Sequence, residues 1–123
     1  MNDLAKMQQQ IVAQKNRNLV LEFPVLDAND VAFDLTGFKV TFSVGNVEGD
    51  VLYARKNTEA GGGDAEIEII DAVGGVLRVY IVPENTGDMT PGQEFTWDLT
   101  LEKTGYGIVS VAGGEFVLVS TVT

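Results

Sequence analysis

The residues with the clearest potential for chemistry form the stretch Asp34-Leu35-Thr36-Gly37. An aspartate beside Thr-Gly is typical of aspartic proteases, in which two carboxylates share one proton. That chemistry requires Asp followed directly by Thr or Ser and then Gly, in two copies. Here Leu35 separates Asp34 from Thr36, and the chain has no second copy. The spacing therefore predicts a turn closed by Asp34 and Thr36, with Leu35 pointing inward and Gly37 opening a strand.

Other acidic side chains could bind calcium or form a glycosidase pair. The segment 61–69, GGGDAEIEI, is similar to the Gly-Asp repeats that bind calcium in parallel β-helices, but those sites need several stacked copies. The carboxylates of Asp64, Glu66, Glu68 and Asp71 follow no known calcium-ligand spacing. A glycosidase pair needs only proximity in space, and 18 acidic residues will bring some pair together by chance. We predict no catalytic, cofactor-binding or metal-binding residues.

The chain contains no histidine and no cysteine. This composition removes the commonest general base, Ser-His-Asp and Cys-His nucleophilic machinery, thiolate zinc ligands and disulfides. A phosphate-binding loop is also not predicted, because no segment of the chain has a strand followed by a glycine-rich loop, a lysine and a helix. We therefore expect a protein that is not an enzyme and needs no cofactor.

The net charge of −10 disfavours nucleic-acid binding, which depends on Lys and Arg neutralising phosphates, and it disfavours anionic membrane surfaces. No apolar run approaches the ~18–20 residues of a membrane-spanning helix. The N-terminal region is too polar for a signal peptide, so if the protein reaches the outside we expect a route other than ordinary secretion.

The chemically interesting residues lie among short strands. A length of 123 residues indicates one domain. Apolar residues alternate with polar ones in 38–44 and 95–101, which is the period of a half-buried strand. Trp97 lies on the apolar side of its strand, and this position favours the core over a sugar-stacking surface. Pro24, at the end of the β-rich run 19–25, predicts an edge strand or a strand end.

Turn residues separate these runs. Residues 27–30 predict a turn, Gly74 and Gly75 a hairpin connection, and the segment beginning at Pro83 a single helical turn. Gly113 and Gly114 predict the turn of a final hairpin. About seven or eight strands at intervals of roughly 8–12 residues favour an antiparallel sandwich or small barrel, and an immunoglobulin-like β-sandwich over residues 11–123 fits best.

Residues 1–10 form a separate N-terminal arm in this interpretation. Leu4, Met7 and Ile11 fall at helical spacing, so the arm is either a short helix, a fraying terminus or a segment that docks on a neighbouring subunit. Residues 10–14 could instead be the first short strand. We predict partner contacts at Leu4, Met7, Ile11 and Pro24, and also at Tyr106, which lies between two glycines in a loop.

Three segments together resemble a known family: DLTGFKVTFSV (34–44), GGVLRVYIVPENTGDMTPGQEFTWDLTLE (74–102) and GGEFVLVSTVT (113–123). They are similar to the N-terminal immunoglobulin-like domain of tailed-phage baseplate upper proteins and related small tail proteins. Long family members continue into a coiled region and a receptor-protein attachment domain, whereas this chain stops at Thr123 and carries a Gln-rich arm.

The resemblance implies a structural module of a phage virion, assembled in the bacterial cytoplasm and oligomeric in the particle, whose partners are other virion proteins. We expect an adaptor in the tail, baseplate or fibre-attachment region. A capsid decoration protein and a carbohydrate- or receptor-binding sandwich are the alternatives.

Overall fold

A computed structural model describes residues 7–47, 52–57 and 67–120 of the chain. The predictions for Leu4, Asp64 and Glu66 fall outside these residues. The described residues form nine strand segments and one helical turn: β1 Met7–Gln8, β2 Ile11–Gln14, β3 Leu19–Pro24, β4 Lys39–Asn46, β5 Leu52–Asn57, β6 Ile67–Asp71, β7 Val76–Ile81, α1 Pro83–Thr86, β8 Phe95–Lys103 and β9 Gly107–Val119.

The strands form two sheets. The larger sheet has the order β1-β9-β8-β4-β5, with β2 also paired to β9, and the smaller sheet has the order β3-β7-β6. The pairings of β1 and β2 with β9 are parallel, and those between the other neighbours are antiparallel. The prediction of an all-β sandwich is confirmed.

The core lies between the sheets, where the alternating residues of β4 and β8 are buried as predicted. Phe23 of the smaller sheet packs against Trp97 and Phe42 of the larger one, with ring centroids 5.3 and 6.4 Å apart. Trp97 is 3% exposed, which confirms its predicted core role. The two sheets are therefore joined by aromatic packing.

The turn at residues 34–37 has the predicted form. The Thr36 backbone N–H donates to the Asp34 carboxylate at 2.9 Å, and Gly37 has a φ of 82°, which favours glycine. The Leu35 side chain is fully buried, and its N–H donates to the Ala72 carbonyl at 2.7 Å. Asp34 thus caps a turn that is fixed to the smaller sheet's hairpin.

Other local predictions are also confirmed. The Asp27 carboxylate accepts hydrogen bonds from the N–H groups of Asn29 and Val31, which closes the predicted turn. A turn that includes Gly75 joins β6 to β7, and α1 is the predicted helical turn. Pro24 ends β3, an edge strand of the smaller sheet, where its missing N–H costs little.

The predicted hairpin turn at Gly113 and Gly114 is wrong. Both glycines lie inside β9, opposite Asp98 and Trp97 of β8, and the turn between β8 and β9 is at residues 104–106. Gly114 has a φ of 151°, and a Cβ atom there would lie 2.4 Å from the Gln9 carbonyl oxygen. A glycine is needed there because the Gln9 backbone, between β1 and β2, lies close to Gly114. Glycine is typical both of turns and of such close backbone approaches.

The helical alternative for the N-terminal region is wrong for the residues described, because Met7–Gln8 and Ile11–Gln14 are extended. The suggested first strand at residues 10–14 is confirmed for Ile11–Gln14. The free edge of β9 offers backbone partners to this segment, and Ile11 and Ala13 alternate into the core. This tertiary pairing outweighs the weak helical spacing.

Candidate interaction site

Three aromatic rings meet at one end of the sandwich. Phe33 precedes the turn at residues 34–37, Phe38 follows that turn, and Tyr106 lies in the turn between β8 and β9. Together they line a concavity of about 400 Å³, here called the aromatic cleft, whose full lining is Phe33, Asp34, Phe38, Lys103, Thr104, Gly105 and Tyr106. Two turns that are distant in sequence therefore build one surface.

Tyr106 contacts both phenylalanine rings edge to face, and the two phenylalanine rings are tilted against each other. The Phe38 and Tyr106 centroids are 5.1 Å apart at 86°, and Phe33 lies 5.5 Å from Phe38 and 6.2 Å from Tyr106. Edge-to-face packing is more favourable than a face-to-face sandwich, because the face of an aromatic ring is negative and its edge positive. Phe38 is buried, whereas Phe33 and Tyr106 remain half-buried. The cleft is thus a prearranged apolar surface in which Phe33 and Tyr106 are partly accessible to solvent.

Lys103 contributes the positive charge of the cleft. Its Nζ atom lies 5.1 Å from the Phe38 ring centroid, within the range of a cation–π contact, and 3.5 Å from the Thr36 carbonyl oxygen, to which it donates a hydrogen bond. These two contacts hold a flexible ammonium group at the rim of the cleft.

Asp34 contributes a negative charge at the same rim. Hydrogen bonds from the Thr36 side chain and the Thr36 backbone N–H lower the pKa of this exposed carboxyl group, and the charge of Lys103 lowers it further. The carboxylate is therefore ionised at neutral pH, so the cleft presents one anion and one cation around aromatic rings.

The cleft brings aromatic rings together with one carboxylate and one ammonium group. Across residues 7–47, 52–57 and 67–120, no group of three or more acidic side chains is placed to hold a metal ion. Of the carboxylates considered for calcium, Glu68 accepts a hydrogen bond from the Tyr80 hydroxyl at 2.8 Å and Asp71 accepts one from the Gly74 N–H at 2.9 Å. Both groups have structural partners instead.

The residues predicted as partner contacts do not form one site. Tyr106 belongs to the aromatic cleft, and Pro24 is exposed at the end of β3. Ile11 is 3% exposed and packs in the core, so its side chain is not at the surface. Met7 begins β1, and Leu4 lies outside the described residues. The sequence did not indicate Phe33 or Phe38 as cleft residues, because both also fit a core position.

A second feature, here called the strand slot, holds the N-terminal segment against β8 and β9. Its members are Trp97, Gly113, Gly114 and Glu115. The Trp97 indole N–H donates to the Gln9 carbonyl at 2.8 Å, and the Gln9 N–H donates to the Gly113 carbonyl at 3.1 Å. The adjacent glycines within an apolar alternation are the available sequence signal for this slot, although the same pair also predicts a hairpin turn.

The described residues form an all-β sandwich with the aromatic cleft at one end and the strand slot at the edge of β9. No family model matches the chain, and no curated protein matches it. In the described part of the chain, no helix has the length and apolar character needed to cross a membrane.

Proposed function

We propose that this protein is a non-enzymatic structural component of a tailed-phage virion, an immunoglobulin-like adaptor in the tail, baseplate or fibre-attachment region. It acts by protein–protein contacts, with the sandwich as a rigid spacer. Its partners are other virion structural proteins, and assembly takes place in the bacterial cytoplasm.

The observation that carries this proposal is where the three family-like segments lie in the fold. The first contains the turn at residues 34–37 and most of β4, the second runs from the β6–β7 turn through β8, and the third contains the end of β9. Of their strands, β4, β8 and the end of β9 are neighbours in the larger sheet, and β7 lies in the smaller sheet. A resemblance confined to such elements supports a shared scaffold, and the proposed assembly role rests on this fold-level analogy.

The strand order supports the immunoglobulin-like part of the proposal. If β3 corresponds to the immunoglobulin strand B, the smaller sheet has the order B-E-D and the larger sheet contains G-F-C-C′. The parallel pairing of β2 with β9 then places the first strand beside strand G. Sandwich domains of this kind present loops at both ends, and the aromatic cleft lies at one of these ends.

We expect the aromatic cleft to be the contact surface, because ring faces and Lys103 can pack against an apolar or acidic segment of a neighbour. The test is mass spectrometry of purified virions from a host that produces the protein. Stoichiometric copies in the particle support the proposal, and complete absence from intact particles refutes it.

Two variants test whether the aromatic cleft is the surface that contacts the other virion proteins. Tyr106→Ala removes one wall of the cleft, whereas Ile108→Ala changes an exposed side chain two residues further along. We expect reduced incorporation of the Tyr106 variant alone. Equal incorporation of both folded variants would refute the cleft as the contact surface but not the virion role.

Two alternatives remain distinct in their outcomes. A capsid decoration protein would be found on heads separated from tails. A carbohydrate- or receptor-binding module is favoured by the half-buried rings of Phe33 and Tyr106 in the aromatic cleft, since aromatic side chains form such binding platforms. Glycan-array binding that Tyr106→Ala abolishes and Ile108→Ala preserves would support it over an assembly role.

A further inference from the structure

We propose that residues 7–14 are an exchangeable strand, and that the strand slot of one chain accepts residues 7–14 of a second copy. The partner is thus another molecule of the same chain, and the interaction surface is the edge of β9. This inference goes beyond the proposed virion role and does not depend on it.

The slot is shaped for a strand and for one register. The Gly114 backbone leaves room for the Gln9 carbonyl, which a Cβ atom would approach to 2.4 Å, and the Trp97 indole N–H binds that carbonyl. Further along, the Lys15 N–H donates to the Val119 carbonyl at 3.0 Å. These contacts recognise main-chain atoms, so they act equally on a strand from the same or another molecule.

Side chains of residues 7–14 make the slot specific for this sequence. Ile11 and Ala13 are each 3% exposed and fill the core beside β9. The Gln10 side-chain amide donates to the Glu115 carboxylate at 3.1 Å on the outer face. A shift of one residue would reverse the two faces, because side chains alternate along a strand. A second copy carries the required pattern in the required order.

The segment is attached to the domain at a single edge. Within the described residues, β1 and β2 pair with β9 and with no other strand. A short connection, residues 15–18, then leads to β3 in the opposite sheet. An exchanged dimer or chain would keep every contact of residues 7–14 and change only this connection, which is the usual condition for strand exchange.

The connection is closed by a turn that includes Asn16. This residue has a φ of 62°, and its N–H donates to the Thr86 hydroxyl at 2.9 Å, while the Arg17 N–H donates to the Gln14 carbonyl at 3.3 Å. Opening the turn breaks both of these hydrogen bonds and releases Asn16 from its left-handed conformation. At high local concentration of the chain, binding between copies competes with closure within one chain.

Absence of cysteine allows a direct test by disulfide trapping in the full-length chain. Gln14 and Val119 are register partners in the β2–β9 pairing. Adjacent strands place such residues about 4.8 Å apart, which suits a disulfide. Gln14→Cys and Val119→Cys are made in separate chains, mixed unfolded, refolded together at roughly millimolar concentration and oxidised. Any 14–119 linkage then joins two molecules.

The matched control pairs Gln14→Cys with Ile108→Cys, because Ile108 is exposed on the same strand but about 35 Å from Val119. We expect the 14–119 linkage, measured by peptide mass spectrometry, to exceed the 14–108 linkage about fivefold or more, since only register partners are held at bonding distance. Equal yields overturn the proposal.

Two further variants keep the test decisive. A chain with both Gln14→Cys and Val119→Cys must form the disulfide when dilute, and failure to do so overturns the slot itself. Asn16→Pro cannot adopt a positive φ or donate to Thr86, so it should raise the interchain share, whereas Asn16→Gly keeps the turn accessible. No difference between these two variants overturns the exchange.

Discussion

Gly114→Ala tests whether the N-terminal segment depends on a close backbone approach. The added Cβ atom would lie 2.4 Å from the Gln9 carbonyl oxygen and 3.1 Å from the Gln9 carbonyl carbon. Neither atom belongs to a flexible side chain, so the segment must move away from β9. Gly92→Ala is the matched control, because Gly92 has a φ of 92° but no atom within 4 Å of its added Cβ.

The expected cost can be built from separate contributions. A left-handed conformation of a non-glycine residue costs about 1–2 kcal/mol, which is the whole cost expected for Gly92→Ala. Gly114→Ala adds the hydrogen bond from Trp97 to Gln9, about 1 kcal/mol, and partial exposure of Ile11, about 1–2 kcal/mol. We therefore expect Gly114→Ala to lower the free energy of unfolding by about 2–3 kcal/mol more than the control.

Urea unfolding followed by tryptophan fluorescence is the assay. Trp97 is the only tryptophan, and it is buried in the core and bonded to Gln9, so its emission reports on both unfolding and the strand slot. The native emission of the Gly114 variant should shift to longer wavelength, and its melting temperature should fall by roughly 10 °C relative to the control. Equal stability of the two variants, within about 0.5 kcal/mol, would refute the close approach.

Three further substitutions test the turn and the cleft. Thr36→Val removes the hydrogen bond that the Thr36 hydroxyl donates to the Asp34 carboxylate. NMR titration should therefore show the pKa of Asp34 rising toward its ordinary value. In the wild-type chain this carboxylate stabilises the fold above its ordinary pKa, and the contribution is lost as pH falls through the lowered pKa. Tyr106→Ala should cost about 2–3 kcal/mol through two lost ring contacts, whereas exposed Ile108→Ala should change stability by less than about 0.5 kcal/mol. Leu35→Ala should cost about 2–5 kcal/mol in the same unfolding assay, because its side chain is fully buried. A cost near that of the Ile108 variant would contradict its core position.

Turns and buried strand faces could be predicted from the sequence where all the residues that form them lie in one segment. The turn at residues 34–37 depends on an aspartate bonding an N–H two residues on, and on a glycine with positive φ. The strand β8 depends on alternation, which places Trp97 and Leu99 on the buried face. Such features involve neighbouring residues and are set before distant parts of the chain meet.

The aromatic cleft and the strand slot could not be predicted from the sequence in this way. The aromatic cleft requires Phe33 and Phe38 to contact Tyr106, although the strands from β4 to β8 separate them in sequence. Nothing in a single segment separates an aromatic residue that fills the core from one at its rim, because both satisfy the same apolar pattern. Only the packing of the two turns decides which ring faces remain exposed.

By itself, the sequence determined an all-β domain, the turn that Asp34 closes and the core position of Trp97, because these follow from local hydrogen bonding and the two-residue period of strands. Only the tertiary structure decided whether Gly113 and Gly114 form a turn or lie inside a strand. A glycine pair satisfies both a turn and a close approach by another strand, and only the position of Gln9 against β9 distinguishes them. The same pairing made residues 7–8 and 11–14 strands, since the edge of β9 supplied backbone partners that no local pattern contains.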